Sequence, residues 1–542
     1  IEGGGGGGGY TGGSAGSGSY AGTGGSSYVG SLSNASMVAG NATMTAPAGG
    51  TQTGQTGNGY ARILMADATA FNTGAQTGTV TIGGVVKATN VQTAATNFAI
   101  KIGQTVASGT STFGANTTLN NLGGFIMGTA SNAHNLSVTG SFATAATGTA
   151  KLNGGVTTTT TQTYAGPVQL TGDTTFTTTN SAVAFSSTVD GTTANTESLT
   201  VAAGTGNTTF TGAVGGTTSL KNISVTTGAL TAAAVKADTG ITVTNTAAST
   251  ISGVISGTAS LTKAGASTLT LSGASTYTGV TAINAGTFTV TGSLSDSTAV
   301  TVASGATYTI GASDTIGSLA GAGSVNLGSF TLTFGNNNDT TYSGVMSGTG
   351  ALIKQGSGVV TMSGTNTYSG ATTVSAGTLK LGNAAALGTT TSGTTVSSGA
   401  VLDLNGQNIS NNEALTISGT GISSGGALIN SSSTGATYAG LVTLGGNSSI
   451  VGDTGAITLS NAGTITGAFN LTLGGAQGGS ITSIVGISTG ALTKAGAGTW
   501  TMSGVNTYTG GTSVNAGTLK ANSTASFGAS SGAITVAAGA VL

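Results

Sequence analysis

The chain has 542 residues, among them 99 Gly, two Pro, one His, one Trp and no Cys, with 11 Lys+Arg against 12 Asp+Glu for a net charge of −1. Charged residues at 4 %, against about 25 % in an ordinary soluble domain, exclude a basic nucleic-acid surface, an acidic tail and Lys/Glu-rich surface helices. The missing Cys excludes disulfides and Cys-based zinc sites, and the scarce Pro and aperiodic Gly exclude collagen. Mean hydropathy of +0.27 argues against charge-driven disorder. What remains, a chain of Gly, Thr, Ser, Ala, Asn and Val, reads as short strands joined by tight turns. No run approaches the roughly 18 apolar residues of a spanning helix, so no membrane-spanning segment is expected. Ile1-Glu2 shows no initiator Met and no leader, which reads as a processed product or a fragment.

In chain order, residues 1–60 form a Gly/Ser/Tyr-rich segment. Gly3 to Gly9 is an unbroken glycine run, followed by Tyr10, Tyr20 and Tyr28 between Gly/Ser spacers. Its composition is that of a flexible linker. Ordering seven glycines costs more entropy than ordering any other run of that length. If the segment is ordered, packing must hold it, and it is the first candidate for a subunit contact or a cap. Residues 61–260 read as solenoid with weak repeats. Within them Phe185–Gly191 matches Phe210–Gly216 at an offset of 25, each followed by an apolar strand, 198–201 and 219–225.

Residues 261–542 carry the strongest signal. Three 30-residue segments, 261–290, 352–381 and 492–521, align without a gap, and thirteen columns are identical in all three. Inside each copy the period is two: Leu269 and Leu271, Val360 and Met362, Trp500 and Met502 alternate with Thr. This is the pattern of a half-buried strand. Corresponding strands recur at steps of about 20: Thr268, Thr287 and Thr307; Thr499, Thr518 and Val541; Thr378 and Val401. Such steps suit one coil of a parallel β-helix, each rung stacked about 4.8 Å above the last. About 20 to 25 coils then make a rod on the order of 100–120 Å. An antiparallel sandwich with hairpins every 8–12 residues is the competing fold. The coil also explains the low charge, since stacked like charges repel whereas Thr, Ser and Asn ladders can hydrogen-bond.

The core of each 30-mer, G-x-x-x-x-T-x-S-G-x-x-T-Y-x-G-x-T followed by A-G-T, resembles the passenger-associated β-strand repeat of bacterial autotransporters. The 168–230 unit is similar to repeats of large haemagglutinin-like exoproteins. The resemblance implies an all-β, right-handed parallel β-helix (β-solenoid) with about 20-residue coils, secreted to the outer surface of a Gram-negative-type bacterium. That family's C-terminal membrane barrel has no counterpart here: aromatic-girdled strands are absent, and the sequence stops in mid-repeat at Ala540-Val541-Leu542.

Chemistry is sparse. The single His134 supports neither a triad nor a multi-histidine metal site, and is expected to be a loop or surface residue. Lys263, Lys354 and Lys494 share one repeat column and are expected in a solvated turn that opposes edge pairing. Asp173/Asp190 and Asp296/Asp314 are spaced to stack on adjacent coils near 5 Å, a separation that suits a retaining glycosidase, but no Arg or sugar platform accompanies them. Tyr277, Tyr368 and Tyr508 share a column beside Gly279, Gly370 and Gly510, and are read as turn-packing residues rather than adhesive spots. No catalytic, cofactor or metal residues are assigned. The expected function is a structural extracellular fibre or stalk that mediates adhesion and self-assembles head to tail through the N-terminal segment and the strand end at Val541 and Leu542. Its partners would be neighbouring copies of itself and a host-cell, surface or glycan target, without nucleic acid. The alternatives are a monomeric passenger adhesin, a polysaccharide-cleaving β-helix enzyme, and an ice- or surface-binding solenoid with a flat Thr face.

Overall fold

The computed structural model describes residues 109–530 and 532–542, and upstream of these the segments 43–45, 51–53, 59–62, 71–73, 78–88, 91–93 and 98–104. The chain divides into two compact units, Ile1–Gly279 and Val280–Leu542. Both are parallel β-solenoids, with about 22 turns in all and about 20 residues per coil. The lone 3₁₀ turn, Ile422–Ser424, is the one helical element among the described residues. Strand pairings run parallel throughout both units, apart from a short antiparallel hairpin of Thr43–Thr45 with Thr51–Thr53.

In the first unit the strands Val168–Thr178, Leu199–Ala202, Leu220–Thr227, Val235–Asn245 and Ser260–Lys263 stack in register. Their pairing aligns Phe176 with Val201, then Val225, Val243 and Lys263 in one inward column. The neighbouring outward column is Thr175, Thr200, Ser224, Thr242 and Thr262. A second face stacks Tyr164, Phe185, Phe210, Ala232, Ile251 and Leu271. Here the rings of Tyr164 and Phe185 are parallel at 5.0 Å, and those of Phe185 and Phe210 at 4.9 Å. The 25-residue offset of the weak repeat is therefore a true coil length, with Phe185 paired to Phe210 and Val189 bridged to Val214.

The second unit repeats the scheme. Thr287 pairs with Thr307, Thr378 with Val401, Thr499 with Thr518, and Thr518 with Val541. These are the register steps expected from the spacing of the Thr-led strands. One inward column runs Phe334, Lys354, Val374, Val396, Ile417 and Leu444. Beside it an outward ladder of Thr373, Thr395, Thr416, Thr443 and Thr466 faces solvent.

Close stacking explains the repeat glycines. A Cβ on Gly279 would lie 2.3 Å from the carbonyl oxygen of Ala259, on Gly370 2.1 Å from that of Gly350, and on Gly510 2.4 Å from that of Gly490. Only a residue without a side chain lets the turn sit on the coil beneath it.

Candidate functional site

The repeat-column lysines overturn the expectation of a solvated turn. Lys263, Lys354 and Lys494 are fully buried and point into the solenoid. The alternation Leu-x-Lys puts the lysine on the same face as the leucine two residues before it. Each ammonium is solvated by backbone carbonyls. Lys354 Nζ donates to the oxygens of Gly356 at 2.8 Å and Ala376 at 2.9 Å. Lys494 Nζ donates to those of Ala495 at 3.0 Å, Gly496 at 2.7 Å and Ala516 at 2.9 Å. Lys263 bonds the oxygen of Gly265 in the same way. The invariant Lys, the Gly two residues on and the Ala-Gly pair near the end of each repeat are thus one device: a buried cation that ties two successive turns together. Burial pushes Lys263 and Lys354 down to about 8, with Asp339 opposing the shift at Lys354, and it lowers Lys494 as well.

The tyrosine column is internal, as a turn-packing role requires. Tyr277, Tyr368 and Tyr508 are fully buried. The Tyr368 and Tyr508 hydroxyls lie 2.6 Å from those of Thr372 and Thr512, also a repeat-invariant position. Two residues before the tyrosine, Asn366 Oδ1 accepts from the Met346 amide at 2.8 Å, and its Nδ2 donates to the Ala386 oxygen at 2.7 Å. Asn506 does the same between Val485 and Ser526. Each side-chain amide thereby clamps the coils on either side of its own.

His134 lies outside the strands, as a loop residue does, but not at the surface. It is buried just before the strand Asn135–Val138. Its Nε2 lies 2.8 Å from Ser111 Oγ, which also accepts from the Val86 amide at 3.0 Å. Its Nδ1 is buried without a partner, and burial lowers its pKa. Gly103 and Gly109 make room for the ring: a Cβ on either would meet it. Enclosed in this way, a Ser–His pair has no path to a substrate.

The Asp173/Asp190 pair does not form. Asp190 pairs opposite Gln169, whereas Asp173 is four positions farther along the same strand, about 13 Å away. Asp173 and Asp190 instead accept from the amides of Ser198 and Thr217, each at 2.8 Å, which fixes loops on the next coil. Asp314 takes the Leu294 amide at 3.1 Å and the Tyr308 hydroxyl at 3.4 Å. Burial pushes Asp314 up to about 6, with repulsion from the nearby Asp296 adding to the rise, and burial pushes the equally enclosed Glu413 up to about 7. Among the described residues no cluster of three or more His, Asp or Glu is arranged to hold a metal ion, and no helix is long and apolar enough to cross a membrane.

Of the expected assembly contacts, Gly3, Gly9, Tyr10, Tyr20 and Tyr28 lie outside the described residues. Val541 and Leu542 are 54 % and 47 % exposed, beside the strand Ile534–Val536, whose Ile534 and Val536 are each 46 % exposed. Val536 belongs to the column Leu473, Lys494, Val514, whose earlier members are buried.

Comparison with known proteins agrees with this architecture. Residues 261–290, 352–381 and 492–521 match the passenger-associated-transport-repeat family. Over 296 residues the chain is 35 % identical to the adhesin BmaC autotransporter of Brucella suis biovar 1 (strain 1330), an alignment covering 54 % of this chain and 8 % of that protein. The chain therefore spans a small part of this relative. No solved structure matches it.

Proposed function

From a chain that is an autotransporter passenger with passenger-associated repeats, we propose a non-catalytic, surface-displayed shaft that holds the bacterium to its target. One observation carries this reading: the repeat lysines and tyrosines are turned inward, where they secure the backbone, and outward strand positions form neutral hydroxyl ladders such as Thr373–Thr395–Thr416–Thr443–Thr466. A stack that satisfies its own polar groups is rigid without disulfides or metals, and its outward ladders offer repeated hydroxyls to a surface. The repeats and the adhesin similarity support a place at, or outside, the bacterial cell surface.

Self-assembly belongs to the same reading. A parallel rung of one copy can pair with a rung of the next, which is the geometry a head-to-tail fibre needs. Beads coated with the purified chain should adhere to host-cell monolayers in excess of beads carrying a neutral control protein; equal counts would overturn the adhesive role. Electron microscopy of the same preparation tests assembly, with uniform fibres expected and isolated short rods counting against it.

A further inference from the structure

One coil of the second unit departs from the plain 20-residue scheme. Between the strands Leu415–Gly419 and Leu428–Asn430 the chain leaves the stack as a loop. Ser423 and Ser424 are held there at φ of 51° and 62°, a left-handed conformation that serine seldom adopts. Strain of this kind is kept where the surrounding structure enforces it, and it concentrates at binding sites. The loop walls a concavity of about 450 Å³, within the size range of small-ligand sites.

The floor of the concavity is the outward face of three successive coils. The register pairs Ser449 with Thr472 and Val451 with Gly474, and the next coil adds Ala495. Gly474 and Ala495 are too small to fill the space, and this creates the hollow. The backbone beneath is fastened from inside. Trp500 Nε1 donates to the Gly474 oxygen at 2.9 Å, and Lys494 Nζ donates to the Ala495 and Gly496 oxygens.

The polar groups around this floor have capacity left over. Ser449 is 5 % exposed, yet its hydroxyl makes no hydrogen bond within the protein, and neither do those of Thr472 and Ser424. Asp453 accepts the Ala476 amide at 3.3 Å through Oδ1 only. Hydroxyls that solvent reaches and that hold no partner within the protein are free to bond a ligand that brings its own donors and acceptors. Three hydroxyls and one carboxylate over a shallow floor with a single Val do not suit an apolar peptide. The lone carboxylate is too little for a divalent cation and repels an anion, and no Lys or Arg lines the hollow to attract one.

We propose that this groove binds a neutral saccharide, with Asp453 accepting from vicinal hydroxyls and Ser449 and Thr472 bonding the ring from the floor. The proposal rests on the adhesive reading and gives it a target chemistry. It is tested on the full chain by saturation-transfer NMR and calorimetry against neutral hexoses, their disaccharides and uronic acids. Binding of at least one neutral sugar is expected, weakened about tenfold or more by Asp453→Asn, which removes a charge-assisted bond. Thr472→Trp, an outward change that fills the hollow without entering the core, should abolish it, with an unchanged melting profile showing that the fold is intact. Absence of binding to every neutral sugar, preference for uronic acids, or binding that survives Thr472→Trp would overturn the proposal. Beads coated with Thr472→Trp separate the two readings. Continued adhesion by a chain that binds no sugar in either form sinks the groove and spares the adhesin; sugar binding without bead adhesion does the reverse.

Discussion

The coils between Phe142 and Phe210 and the coils of the passenger repeats solve the same packing problem with opposite materials. In the first, rings fill the interior: Phe185 lies flat between Tyr164 and Phe210 with Phe176 edge-on at 5.0 Å. In the second, inward positions hold Lys354, Asn366 and Tyr368, and each bonds either to backbone or to a threonine beside it. Parallel stacking explains why both work. An inward side chain meets the same column on the coil above and the coil below, so a ring finds another ring, and a donor finds the carbonyl of a turn that recurs every coil. Apolar columns gain stability from contact area. Polar columns gain it only when every donor and acceptor is met, and they fail sharply when one is removed.

The largest effect should come from breaking the ring column. Phe185→Ala is expected to destabilise its unit by about 3–5 kcal/mol, through lost burial and the cavity left behind, read as a fall in chemical-denaturation midpoint. Lys354→Ala tests the polar column and should cost about 3 kcal/mol, because it empties a buried volume and strands the Gly356 and Ala376 carbonyls. Lys221→Ala, at an exposed strand position in the first unit, should cost less than about 0.5 kcal/mol; a similar small loss at Lys354 would show that the buried cation is dispensable. Gly370→Ala forces a Cβ against the Gly350 oxygen and should cost about 2 kcal/mol by overpacking. Tyr508→Phe removes a single hydroxyl contact with Thr512 and should cost about 1 kcal/mol.

Titration sharpens the contrast further. Glu413 is raised to about 7 and Asp314 to about 6, so the fold favours their protonated forms. That preference is fully present below their ordinary values of 4.5 and 3.8 and is lost as pH rises through about 7 and about 6. In the second unit Lys354 is lowered to about 8 from 10.5, so stability present above 10.5 is lost as pH falls through about 8. The second unit should therefore melt lowest near neutrality, and Glu413→Gln should flatten the limb between about 4.5 and about 7. Hydrogen exchange at the amides of Tyr164, Phe185 and Phe210, whose stacked column holds no carboxylate, should follow intrinsic chemistry across the same window.

Much of the fold was legible because its signals are local. Alternating Leu-Thr-Leu, Gly at the turns and Thr-led strands every 19 to 23 residues are enough to set a parallel coil, and the paired residues fall where that spacing puts them. The inward lysines were legible in principle: the alternation that buries Leu261 and Leu352 buries Lys263 and Lys354 two residues later. The habit of placing charge outside obscured it. His134 left no such trace, because the glycines that house it, Gly103 and Gly109, come from a preceding coil.

Composition and period alone determined the all-β class, the coil length and the absence of a disulfide or Cys-zinc framework. The tertiary stack decided which residues share a column. A shift of a few positions between coils separates Asp173 from Asp190, seats Asp314 at Leu294, and opens a hollow where Gly474 meets Ala495. Sequence spacing measures distance along the chain, whereas register across coils depends on how many residues each turn takes up, and that number varies from coil to coil.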